Sequence, residues 1–196
     1  MTATYQFLRP FAFLTVRGPT LDFYRWYFPT VCTLIACTGY WLLPLQIDLV
    51  GDKSTSDYLV SFFSSLPGFF IAALAAVVAF SGGDLDKEVP KLTVKISANG
   101  DRDTNEISLR VFLCYLFAYL TLISFVGFFF CLGGALLADN AGALVKSTTD
   151  VETASRVIWV LKSLFLGGMV FLASSIVSCT VQGLYFLAER VHQTLL

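Results

Sequence analysis

Charge is what this sequence has least of. Only 14% of its 196 residues are Asp, Glu, Lys or Arg, and they sum to a net charge of −1. No broad acidic or basic field therefore marks nucleic acid as a direct ligand. Histidine is almost missing: His192 is the single copy, and no cysteine or serine is evidently placed to act with it. Without a nucleophile, its base or a metal shell there is no catalytic constellation to assemble, so a non-enzyme without a cofactor is expected. The nearest approach to a metal motif is Asp101, Asp103 and Asn105, which match the first three ligand positions of a calcium loop. Glu106 stands where that loop needs glycine for its sharp turn, and Phe112 where it needs a bidentate glutamate, so no metal is expected. Five cysteines, Cys32, Cys37, Cys114, Cys131 and Cys179, all fall inside apolar runs, where a thiol behaves as a small hydrophobe. A disulfide framework is not expected. A cleavable signal is not expected either, because Arg9, Pro10, Arg17, Gly18 and Pro19 interrupt any apolar core it would need.

What the chain has in excess is apolar surface. Hydrophobic residues make up 56% and aromatic ones 15%, with a mean hydropathy of +0.73, far beyond what a soluble domain of this size needs. About 20 apolar residues suffice to cross a hydrocarbon core ~30 Å thick. Three stretches, 26–47, 58–83 and 111–138, carry no charge, and a fourth, 157–188, is interrupted only by Lys162. The fold class expected is an all-α integral membrane protein, a single domain over 1–196 with four transmembrane helices arranged as two hairpins. Pro67-Gly68 predicts a kink or a short lead-in segment in the second helix, and Thr149-x-x-Glu152 is a capping-box pattern that starts the fourth ahead of the membrane.

The flanks read as interface. Residues 1–25 interleave Phe7, Phe11, Phe13, Phe23 and Tyr24 with Arg9, Arg17 and Arg25, a composition suited to headgroup depth, where rings anchor and guanidinium groups reach water or lipid phosphate. Trp26 and Trp41 mark the two ends of the first helix. Lys162 lies one turn inside Trp159, and snorkelling to the headgroups accounts for it better than a role in an intramembrane pathway. With four spans, both termini and the central loop share one side. That side holds Arg9, Arg17, Arg25, Lys87, Lys91, Lys95, Arg102, Arg110 and Arg190, against Lys53, Lys146, Arg156 and Lys162 opposite. Nine basic residues against four place termini and loop in the cytoplasm by the positive-inside rule.

Two kinds of contact are expected. Ala72 with Ala76, Gly134 with Ala138, and the polar stripe Ser174, Ser178 and Gln182 are small or hydrogen-bonding faces of the type that joins membrane helices. They suggest a homo-oligomer, a tetramer being one form. The same polar stripe could instead line a wet path in a pore. The second contact lies in the central loop, 84–110, too long for a passive connection. Leu92, Val94 and Ile96 alternate with Lys91, Thr93 and Lys95, and Asn99-Gly100 suits a tight turn. A β-hairpin and an N-terminal extension of helix three, capped near Thr104 or Asn105, are both compatible with the residues. The mixed charges of the loop suit a soluble protein partner, with Lys91, Lys95, Asn99, Asp101, Arg102 and Asp103 as the candidate contacts.

The polar loop PKLTVKISANGDRDTNEISLR, following LPGFFIAALAAVVAF, together with the length, four spans and short tails, resembles the membrane subunit of the Kiwa anti-phage defence system of bacteria. The resemblance covers the whole chain. It implies a homo-oligomeric inner-membrane protein that senses phage attack and holds a soluble, DNA-binding partner at the cytoplasmic face. It carries over no active-site residue. A non-enzymatic sensor and scaffold is the function expected, with a pore-forming effector or small channel as the alternative.

Overall fold

The computed structural model describes residues 9–18, 21–42, 49, 54–79, 88–98, 101–148 and 151–193. A short 3-10 helix, Arg9–Thr15, and a π-helical turn, Phe23–Tyr27, lead into helix α1, Phe28–Leu42. Helix α2 follows at Thr55–Ala79, then strands β1, Glu88–Ala98, and β2, Asp101–Ser108, then the long helices α3, Leu109–Thr148, and α4, Val151–Gln193. Three stretches, Thr55–Ala79, Leu109–Ala138 and Glu152–Ala188, are long and apolar enough to cross a membrane. By length and composition the chain is a multi-pass helical membrane protein.

Named contacts fix how the helices run. Phe70 stacks on Phe117, Phe63 lies against Gly127 and Arg110 donates to the Val78 carbonyl at 3.5 Å, so α2 and α3 are antiparallel. Phe130 packs on Phe165 near one end and Phe112 on Phe186 near the other, which makes α3 and α4 antiparallel too. Trp41 meets Trp159, Cys37 meets Gly167 and Tyr24 meets Ser178, so α1 runs antiparallel to α4. The helices thus stand in a row, α1, α4, α3, α2.

That order corrects the expected pair of hairpins. Only α3 and α4 form one; among the described residues α1 lies along α4 and α2 along α3, and α1 and α2 share no extensive interface. The sequence shows which runs are apolar, but four such runs can be paired in several ways, and side-chain shape makes the choice. Large rings facing glycines permit close approach: the Phe165 ring occupies the space beside Gly134, and Phe130 that beside Gly168.

Helix boundaries also differ from the apolar runs. The stretch 139–148, expected as part of a connection, is helical as the continuation of α3 to Thr148, while α4 starts at Val151, ahead of its apolar run as the capping-box pattern suggested. Hydropathy marks where the hydrocarbon ends, whereas a helix continues into water wherever its residues permit. Arg156 and Glu152 pair there at 2.7 Å across one exposed turn, an i,i+4 contact that contributes little. Thr149, the expected cap, lies outside the described residues. Pro67 sits inside a continuous α2.

The central segment forms an antiparallel pair, with Thr93 opposite Glu106 and Ala98 opposite Asp101. The register slips between Glu88 and Thr93, a stretch that contains Pro90, which cannot donate to the ladder. Asn99-Gly100 lies outside the described residues. Helix α3 begins directly after β2, at Leu109 rather than 111, and the Ser108 hydroxyl accepts from the Val111 amide at 3.5 Å. Ser108 thereby stands in the N-cap position, three residues beyond the Thr104–Asn105 caps that the sequence suggested.

Candidate functional site

Two places on this scaffold hold polar chemistry. The first is a buried cluster where the N-terminal segment meets α3 and α4. Phe13, Val16 and Leu21 are each at most 1% exposed, and the Phe13 ring lies 5.1 Å from Tyr119 and 6.0 Å from Phe112 on α3. Apolar residues thus carry the segment into the crevice, and Arg25 follows them in. A guanidinium cannot shed its proton in a protein, so a buried one must find acceptors.

Arg25, 4% exposed, finds them in backbone. One terminal nitrogen donates to the Leu14 carbonyl at 2.9 Å, the other to the Phe13 carbonyl at 2.6 Å, and both approach Val16 at 3.4 Å. These carbonyls lie at and just beyond the C-terminal end of the 3-10 helix Arg9–Thr15, where a helix carries its partial negative charge; that of Phe13 also accepts from the Val16 amide at 3.2 Å. The guanidinium carbon also lies 4.6 Å from the Phe13 ring centroid, within cation–π range. Arg25 was expected at the headgroups with Arg9 and Arg17. It is instead an internal cap, because the segment ahead of it folds back and offers backbone acceptors. Arg17 is exposed, while the side chain of Arg9 lies outside what is described.

Helix α4 supplies the other half of the cluster. Ser178 donates to the Tyr24 carbonyl at 2.6 Å, Cys179 lies beside Arg25, and Ser175 lies near both Tyr119 and Cys179. Gln182 is 2% exposed, and neither its amide nitrogen nor its oxygen has a partner. Ser178 and Gln182 were expected on an oligomer face; both face the inside of this chain. Gly134 is likewise spent on internal packing against Phe165. Ser174 is half-buried and bonds back to Val170 at 2.6 Å, and Ala138 is half-buried, so of the expected faces only Ala72 and Ala76 are fully open. The i,i+4 recurrence of polar residues flagged the α4 half of the cluster. Nothing in the sequence pointed to Phe13, Tyr24 or Tyr119 as its other half, because backbone acceptors leave no residue signature.

The second place is the strand pair. Ile107 and Leu109 are buried and Arg110 reaches the last turn of α2, so β2 is rooted where α2 and α3 meet. Lys91 and Lys95 fall on β1, and Asp101, Arg102 and Asp103 on β2; Asn99 and the side chains of all six candidates lie outside what is described. Among the described residues the sheet has two strands.

At the far end of α1, Tyr40 and Trp41 pack on Trp159 at 5.3 and 5.0 Å, and the Trp41 indole donates to Ser163 at 3.2 Å. Lys162 is exposed beside this group and Trp26 is exposed at the opposite end of α1. The described residues contain no group of three or more metal-ligating side chains, and all five cysteines are free. No protein-family model, curated protein or solved structure matches the chain.

Proposed function

We propose that this chain is a non-enzymatic sensor and scaffold of the bacterial inner membrane, the role that its resemblance to the Kiwa membrane subunit implies. The observation that carries the reading is the strand pair: an extended element with no third strand among the described residues, rooted on the helices by Ile107, Leu109 and Arg110. The edge of such a pair accepts a partner's strand through backbone hydrogen bonds, while flanking charges set the register. The partner is a soluble, DNA-binding cytoplasmic subunit; the chain itself does not touch nucleic acid.

In this reading α1 is the fourth span. Residues 21–42 are helical throughout, and at ~1.5 Å per residue they extend about 33 Å. Both termini and the strand pair face the cytoplasm, as the basic-residue bias requires. The protein assembles as a homo-oligomer, a tetramer being one form, through faces that include Ala72 and Ala76 at the outer end of the row. The pore-forming alternative rested on the α4 stripe. With Ser178 and Gln182 buried inside the chain, that stripe does not supply a lining, and the scaffold reading is favoured.

Replacing residues 91–105 by a Gly/Ser linker of equal length tests the proposal. The expected result is normal membrane insertion and oligomer size, with loss of co-purification of the soluble subunit encoded beside it and loss of phage protection. Unchanged partner binding would move the contacts to the tails or the membrane helices.

A further inference from the structure

Among the described residues, three buried side-chain atoms have no hydrogen-bond partner within the protein: Arg25 Nε and both amide atoms of Gln182. Arg25 is 4% exposed and Gln182 2%, so neither bulk water nor a lipid headgroup reaches them. Buried polar groups are paired almost without exception, with protein or with ordered water. One left unpaired forfeits the hydration it gave up on burial.

The three atoms belong to one seat. Gln182 follows Ser178 by four residues and Cys179 by three, the spacing that keeps residues on one helix face, and those two meet Tyr24 and Arg25. One turn beyond Gln182, Phe186 packs on Phe112, which packs on Phe13, and the Arg25 guanidinium lies over the Phe13 ring. The terminal nitrogens of Arg25 are already committed to the Phe13 and Leu14 carbonyls, which leaves Nε as its remaining donor. The Gln182 amide offers a donor and an acceptor, and the Ser178 hydroxyl, whose proton goes to Tyr24, keeps its lone pairs. Those are the few convergent partners that an internal water takes, and Ser178 and Cys179, the neighbours of Gln182 on its own helix face, are short side chains.

We propose that this cluster is a closed hydration site, in which an internal water molecule held by the Gln182 amide and shared with Arg25 Nε completes the hydrogen bonding of the seat. The water donates to Gln182 Oε1 and accepts from Arg25 Nε or Gln182 Nε2. Ser178 and Gln182 then form the wall of a hydrated pocket inside one chain, with the Phe112 and Phe186 rings closing it one turn beyond.

Pulsed X-ray radiolysis of the full-length protein in mild detergent, read residue by residue by mass spectrometry, tests it. Hydroxyl radicals made from a bound water oxidise the side chains beside it even where bulk water does not reach. Cys179 and Cys131 are both 0% exposed, and Cys131 lies about 18 Å along α3 from Tyr119 at ~1.5 Å per residue, away from the seat. Cys179 is expected to oxidise severalfold faster than Cys131 in the wild-type protein, while staying unreactive toward N-ethylmaleimide. In Gln182→Leu, which removes the amide at similar volume, its rate is expected to fall to that of Cys131. Equal rates in the wild-type protein, a comparison that needs no variant to fold, mean a dry seat and overturn the proposal. An excess at Cys179 that survives Gln182→Leu also overturns it, and so does maleimide reaction at Cys179, which means access from bulk water and not a closed site.

Discussion

Gly134 and Gly168 govern how closely α3 and α4 approach. A side chain at Gly134 would meet the Phe165 ring, and one at Gly168 would come within 2.6 Å of Phe130. Aromatic rings cannot yield by bending, so added volume must push the helices apart. Gly134→Leu is therefore expected to destabilise the protein by about 1–3 kcal/mol, measured as a lowered midpoint of thermal unfolding in detergent. Gly68→Ala is the control: nothing lies within 4 Å of the added carbon, and helix propensity alone favours the change by up to about 1 kcal/mol. Both glycines look alike in the sequence. The difference lies in what the neighbouring helix presents, which only the three-dimensional arrangement supplies. Arg25 makes the same point, since its aromatic neighbours in the chain suit an interface and its acceptors come from carbonyls nine to twelve residues upstream.

At the scale of elements, the apolar runs were legible because hydrocarbon imposes length and composition on anything that crosses it. The three apolar spans coincide with three of the four expected runs. Which helix lies beside which was not legible, since a row and two hairpins expose similar sequences to lipid. The row leaves α2 at one end with Phe69 at 77% and Ile71 at 52% exposure, and Gly68, Ala72 and Ala76 on the open surface at four-residue spacing. Small residues at that spacing let a second helix approach closely. Ala76→Leu is accordingly expected to reduce the oligomer fraction in mild detergent without lowering the unfolding midpoint, because the position is exposed. A wild-type protein that runs as a monomer at every concentration would remove the basis for assembly through this face.

For the whole molecule, the antiparallel row brings the start of α1, the root of the strand pair and the C-terminal part of α4 to one end, where Tyr24 meets Ser178 and Phe112 meets Phe186. The N-terminal segment and the strand pair thus lie close together, with Phe13 resting on Phe112 four residues beyond the end of β2. Everything in the scaffold reading depends on that end facing the cytoplasm. Single cysteines placed at Asn99, Lys53 and Asp139, read against the native five that lie within the helices, can be probed in intact cells with a membrane-impermeant maleimide. The account predicts that Lys53 and Asp139 react while Asn99 stays protected until the cells are permeabilised; labelling of Asn99 in intact cells contradicts it.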